Sequence, residues 1–114
     1  FEILSRTDNI YFASGSARLG ARSAPLLNSL ADIISRCPGL VIEVGGHTDS
    51  DGSESANLRL SERRAASVKQ YLVTKDIPED RIRSVGYGES RPITPNTTAD
   101  GKRRNRRIEF VVVE

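Results

Sequence analysis

The 114-residue chain is short of several residue types on which common active sites and folds depend. Its single cysteine, Cys37, cannot pair within the chain, and with no disulfide framework the sequence is compatible with either redox compartment. Cys37 precedes Pro38 and Gly39 at an expected helix end, where a free thiol reads as a small buried hydrophobe. Zinc would want several His or Cys, and the chain has one of each. Aromatic residues make up 5%, with no stacking array of the kind single-strand nucleic-acid binders use. No apolar run approaches the roughly 20 residues that span a bilayer. The opening "FEILSRTDNIYF" also lacks the basic, apolar and small-residue order of a signal peptide.

What is present is a soluble, globular composition, 37% hydrophobic and 28% charged, long enough for one domain with one core. Net charge is +2, yet five of the six residues in "KRRNRR" (Lys102 to Arg107) are basic, which leaves the rest of the chain at −3. Basic character is therefore local. Fourteen of the 17 basic residues are arginine, whose planar fork bonds carboxylate or phosphate at two points.

The hydrophobic pattern predicts strands and helices in alternation. "NIYF" reads as a strand ending near Ala13. Leu26, Leu27, Leu30, Ile33, Ile34 and Cys37 have helical spacing, with Pro25 in the first turn, a start near Gly20 or Ser23, and a stop at Pro38 and Gly39. "LVIEVGG" (Leu40 to Gly46) is the clearest strand, and its glycines allow close approach of another backbone. A second helix is expected from about Ser53 or later to Lys75, burying Leu58, Ala65, Val68 and Leu72. "IRSVGYG" is a third strand, "ESRPITPNTTADGK" a long polar connection, and "RRIEFVVVE" a fourth strand with Ile108, Phe110 and Val112 on one face. The order β-α-β-α-β-β implies an α/β two-layer sandwich, a small mixed sheet with two main helices on one face.

Three chemistries compete for "GGHTDSDGSESANLRLSERRAA" (45–66), and a fourth rests on Lys102 to Arg107. Hydrolysis by His47, Asp49 and the neighbouring serines is disfavoured, because triad geometry is tertiary and no G-x-S-x-G elbow accompanies them. His47 then reads as a ring at a strand end that hydrogen-bonds the backbone. "DSDGSE" has the start of a calcium loop without the remaining ligands, so no metal is expected. Lys102 to Arg107 form the electrostatic footprint of a polyanion or nucleic-acid site, or else a solvated strand entrance with a salt bridge or two. Lastly, a zwitterion needs a carboxylate for its ammonium and a guanidinium for its carboxylate, which Asp49 and Arg64 supply. On spacing alone the same two residues serve equally as a salt bridge from loop to helix.

"GHTDSDGSESANLRLSERRAASVKQYL" resembles the signature of the OmpA-like C-terminal peptidoglycan-binding domain, G-H-T-D, then G, then N-x-x-L-S-x-x-R-A-x-x-V. "IYFASGSARL", "GYGESRPI" and "NRRIEF" are similar to its first strand, third-strand exit and last strand, so the likeness covers nearly the whole chain. The resemblance implies noncatalytic, cofactor-free binding of the meso-diaminopimelate of the peptidoglycan stem peptide. Asp49 matches the ammonium-binding aspartate and Arg64 the carboxylate-binding arginine. Thr48, Asn57 and Arg106 match the polar residues around them, and Leu58 and Arg107 are secondary candidates. Many members carry Asp or Asn where this chain has Ala13, so at that point only the backbone of Ala13 and Ser14 could serve. A straight helix from Ser53 would put Arg64 about 16 Å along its axis, so a break or fresh start near Ser61 is expected.

The expectation is one domain, 1–114, excised from a longer envelope protein. It lies in the periplasm and tethers an outer-membrane protein or lipoprotein to the wall, with membrane contact only through a missing N-terminal region. A stator-type, MotB-like anchor of an inner-membrane protein is the nearest alternative, nucleic acid is not an expected partner, and a homodimer is left open.

Overall fold

The computed structural model describes residues 2–7, 12, 19, 20, 23–37 and 39–113. Four strands, β1 (Glu2–Thr7), β2 (Ile42–His47), β3 (Ile82–Gly88) and β4 (Ile108–Val112), form one sheet in the order β1-β4-β2-β3. β4 runs antiparallel to both β1 and β2, whereas β2 and β3 are parallel and joined by α2 (Glu54–Val73). With α1 (Ala24–Ser35) packed beside α2, this is the two-layer mixed-sheet sandwich expected from the pattern.

Period-2 burial decides the strands. Ile42 and Val44 on β2, Ile82 on β3, and Ile108 and Phe110 on β4 enter a core completed by Leu27, Leu30 and Ile34 of α1 and Ala65, Val68 and Leu72 of α2. A fully buried aliphatic side chain of this kind contributes about 1.5–3 kcal/mol. Ser23 occupies the position before α1 and Pro25 stands in its first turn, where a missing N–H costs little. Ser53 opens α2, its side chain accepting from Ala56 N–H at 3.1 Å.

Several expectations need correction. The strand read at Asn9 to Ala13 lies outside the described residues apart from Phe12, which bridges Leu19; β1 is upstream of it. The polar connection before β4 contains a third helix, α3 (Ala99–Asn105), capped by Thr98 and too short to show a period. Leu58 is 43% exposed rather than buried, and the buried stripe of α2 begins at Ser61. Cys37 is exposed. The reason lies far away in sequence: Arg81 donates to the carbonyls of Ile34 (2.8 Å), Cys37 (2.7 Å) and Leu40 (3.0 Å), so the end of α1 is closed by a guanidinium, with the thiol outside.

α2 also runs unbroken through Ser61. It has no need to restart, because it lies directly on the sheet. Gly46 and Gly86 pair across β2 and β3. A Cβ on Gly46 would stand 2.3 Å from the Ser61 carbonyl oxygen, and one on Gly86 2.4 Å from Glu62 N. Two facing glycines thus let helix backbone touch strand backbone at Ser61 and Glu62.

Candidate functional site

The site forms where the β2–α2 loop meets the end of α3. Asp49 follows β2 directly and is only 7% exposed. Its Oδ1 accepts from Asp51 N–H at 2.9 Å and its Oδ2 from Arg106 Nη1 at 2.5 Å. Those bonds occupy about half of a carboxylate's acceptor positions. Two neighbours shape the loop: Thr48 Oγ1 donates to the Asp49 carbonyl at 2.8 Å, and Asn57 Nδ2 donates to the Asp49 and Asp51 carbonyls at 3.3 and 2.9 Å. In this state the side-chain donors of Thr48 and Asn57 hold the backbone that presents Asp49.

Arg64 approaches from α2. Its guanidinium lies 4.8 Å over the Phe12 ring, a cation–π contact that the sequence reading missed. Burial holds its pKa below the ordinary arginine value, and the charges of Arg106 and Arg63 push the same way. A guanidinium stays protonated regardless, and an anion brought beside it would offset both the burial and the like charges. Arg106 is the common neighbour, bonded to Asp49 and felt by Arg64. One carboxylate and two guanidiniums thus converge from three elements, which can receive a group bearing both an ammonium and a carboxylate.

The other candidates fall elsewhere. Arg107 is turned inward: Nε donates to Glu109 Oε2 at 2.7 Å and Nη2 to the Arg91 carbonyl at 2.9 Å. It is buried in the support of the site. Leu58 sits on the same helix, exposed, its backbone against Gly88. Ala13 and Ser14 lie outside the described residues. His47 is at the end of β2 as read, its ring stacked on Tyr87 with a centroid separation of 5.1 Å and its Nε2 3.9 Å from Glu109 Oε1.

The basic cluster is engaged by carboxylates throughout. Lys102 pairs with Asp51 at 3.1 Å, Arg103 and Arg104 with Asp100 at 2.7 and 3.2 Å, Arg106 with Asp49, and Arg107 with Glu109. The picture of a strand entrance with a salt bridge or two is thereby corrected to a helix whose every charge has a partner. Asn105, which no sequence pattern singled out, is buried and holds the preceding loop with both ends of its amide. Oδ1 accepts from Ile93 and Thr94 N–H at 2.8 and 3.3 Å, while Nδ2 donates to Thr94 O and Asn96 Oδ1, each at 2.8 Å.

Among the described residues no helix is long and apolar enough to cross a membrane. A profile of the OmpA family matches residues 11–106. The chain is 40% identical over 110 residues to the probable lipoprotein YiaD of Escherichia coli K12, covering 96% of this chain and 50% of that protein. It is 40% identical over 103 residues to the peptidoglycan-binding protein ArfA of Mycobacterium tuberculosis H37Rv, covering 90% of this chain and 32% of that one. It therefore spans half, or a third, of the length of these relatives. The crystal structure of a putative MotB-like protein from Desulfovibrio vulgaris superposes with a TM-score of 0.84 at 30% identity, covering 94% of this chain and 70% of that one.

Proposed function

Because the chain belongs to the OmpA family, we propose that it is a noncatalytic wall-binding domain that takes the zwitterionic end of meso-diaminopimelate in the peptidoglycan stem peptide. Asp49 receives the ammonium and Arg64 the carboxylate, with Arg106 completing the pair and Thr48 and Asn57 holding the loop. The observation that carries this is the buried Asp49 carboxylate bonded to Arg106, whose guanidinium stands close enough to the half-buried Arg64 for their charges to be felt. The kinship with ArfA, itself peptidoglycan-binding by name, supports the ligand class. The domain serves as the periplasmic part of a longer envelope protein, an outer-membrane protein or lipoprotein, which it tethers to the wall. A MotB-like anchor of an inner-membrane protein would use the same pocket, and the fold shared with the Desulfovibrio protein favours it as the second reading. Polyanion binding is a poorer fit, since a polyanion would have to displace a carboxylate from each basic residue of 102–107 that it engaged.

The test is pull-down on sacculi of diaminopimelate type and lysine type, with thermal melts on the same samples. Asp49→Ala and Arg64→Ala are expected to lose about 2 kcal/mol or more of binding, some 30-fold, because each leaves a ligand charge desolvated and unpaired. Arg64→Lys fails as well, a point charge being no substitute for a fork. Stability should change little in Asp49→Ala, because the Arg106 side chain is 46% exposed and water takes over its solvation. Equal binding of both wall types, or variants that melt early yet bind normally, would refute the pocket. Release of muropeptides above a heat-killed control would refute the noncatalytic reading.

A further inference from the structure

The two halves of the pocket belong to different elements, Asp49 to the loop after β2 and Arg64 to α2, so something must hold them in register. We infer that Ser61 is a positioning residue that does so, acting through Gly88 beside the direct bonds of Asn57 to the loop; this rests on the reading of Asp49 and Arg64 as one zwitterion site. Ser61 is 1% exposed and lies on α2 between Asn57 and Arg64, about one turn from each. Its Oγ accepts from Gly88 N–H at 2.9 Å and donates to the Leu58 carbonyl at 2.7 Å, so both capacities of the hydroxyl are used. The Gly88 carbonyl in turn accepts from Thr48 N–H at 2.9 Å. One residue at the end of β3 is thus bonded through its N–H to the helix that carries Arg64 and through its carbonyl to the residue before Asp49.

The surroundings leave this relay little slack. Gly88 has φ +58°, and a Cβ there would come within 3.2 Å of Leu58 Cα. Gly46 meets the Ser61 carbonyl on the other side. Ser61 is therefore held between β2, which its backbone carbonyl faces at Gly46, and β3, which its hydroxyl bonds at Gly88. Alanine fits the space but leaves the buried Gly88 N–H without its acceptor, so the tie from α2 through the strand end to Thr48 is lost and, of the bonds named above, only those of Asn57 Nδ2 still join the Asp49 loop to α2. A ligand gripped at one point tolerates a shift of the loop. A ligand gripped at both charges does not, since productive geometry must hold to within about 0.5 Å.

Discrimination is accordingly the readout, measured by titration calorimetry with soluble stem tripeptides ending in meso-diaminopimelate or in lysine. Ser61→Ala is expected to weaken diaminopimelate binding tenfold or more while weakening lysine binding far less, so that their ratio collapses toward one. Val68→Ala, in the same buried stripe, lowers the melting temperature but keeps the parent ratio. If Ser61→Ala does not fold, amide exchange on the unaltered protein decides: saturation with the diaminopimelate peptide slows exchange at Gly88 and the lysine peptide does not. A folded Ser61→Ala with the parent ratio, or a Gly88 amide indifferent to the ligand, overturns the relay alone. A parent that binds both peptides alike overturns the pocket reading and the relay with it.

Discussion

Adding one methyl group at Gly46 should disturb both the fold and the pocket, by amounts that the geometry sets. The new Cβ would stand 2.3 Å from the Ser61 carbonyl oxygen and 3.0 Å from its carbon, where ordinary contact begins at 3.4 Å. Neither side can yield cheaply. β2 is held between β4 and β3, and α2 is fastened by Ala65, Val68 and Leu72, all fully buried. Relief requires an opening of roughly 1 Å between helix and strand, and overpacking of that kind costs about 1–3 kcal/mol. The loss of backbone freedom in the unfolded chain returns only about 0.5–1 kcal/mol. A net loss of about 1 kcal/mol lowers the melting temperature of a domain this size by roughly 4–5 °C. Because α2 carries Arg64, the same opening exceeds the tolerance of a two-point grip, about 0.5 Å. Gly46→Ala is therefore expected to melt early and to bind diaminopimelate-type sacculi poorly even where it is folded. Gly39→Ala is the control. Its Cβ meets nothing within 4 Å, but φ is +88°, so strain of about 1–2 kcal/mol appears in the melt and not in binding. Differential scanning calorimetry with sacculus pull-down reads both quantities. A Gly46→Ala protein that melts within about 2 °C of the parent and binds like it would show that α2 does not rest on β2 at this point.

Two further outcomes follow from the segment before β4. Asn105→Ala removes the acceptor of two backbone N–H groups and the donor to Thr94 O and Asn96 Oδ1, so it should cost about 2–4 kcal/mol in urea unfolding, near the upper end for buried polar networks; a cost under about 0.5 kcal/mol, the range of ordinary surface substitutions, would contradict the role of the amide. Asp100 has its pKa lowered by the hydrogen bond from Arg103 and the charge of Arg104, so its contribution to α3 is present above the ordinary aspartate pKa and is lost as pH falls through the depressed folded value. Asp100→Asn should abolish the acid-induced loosening of α3 amides in hydrogen exchange, and an unchanged pH profile would argue against this pairing.

The sequence by itself determined β2, β3, β4, α1 and the extent of α2, because burial of alternate strand residues and of one helix stripe is written at spacings of two to four residues. Ser53 announced its helix start for the same local reason, whereas Pro25 left the start of α1 open between Gly20 and Ser23. The ordered motif from Gly46 to Leu72 singled out Asp49 and Arg64 as one candidate pair. Only the tertiary structure decided who meets whom. Arg81 closes α1, Arg106 rather than Arg64 bonds the Asp49 carboxylate in the described geometry, and Arg107, adjacent in sequence to Arg106, turns into the interior toward Glu109. The expected break near Ser61 followed from treating α2 as leading away from the loop, when the pairing of Gly46 with Gly86 lets the helix fold back onto the strands. Neighbouring arginines share composition and local propensity, so nothing within a few residues distinguishes a ligand-facing guanidinium from a structural one; that difference arises when elements tens of residues apart come into contact and one carboxylate is left within reach of each.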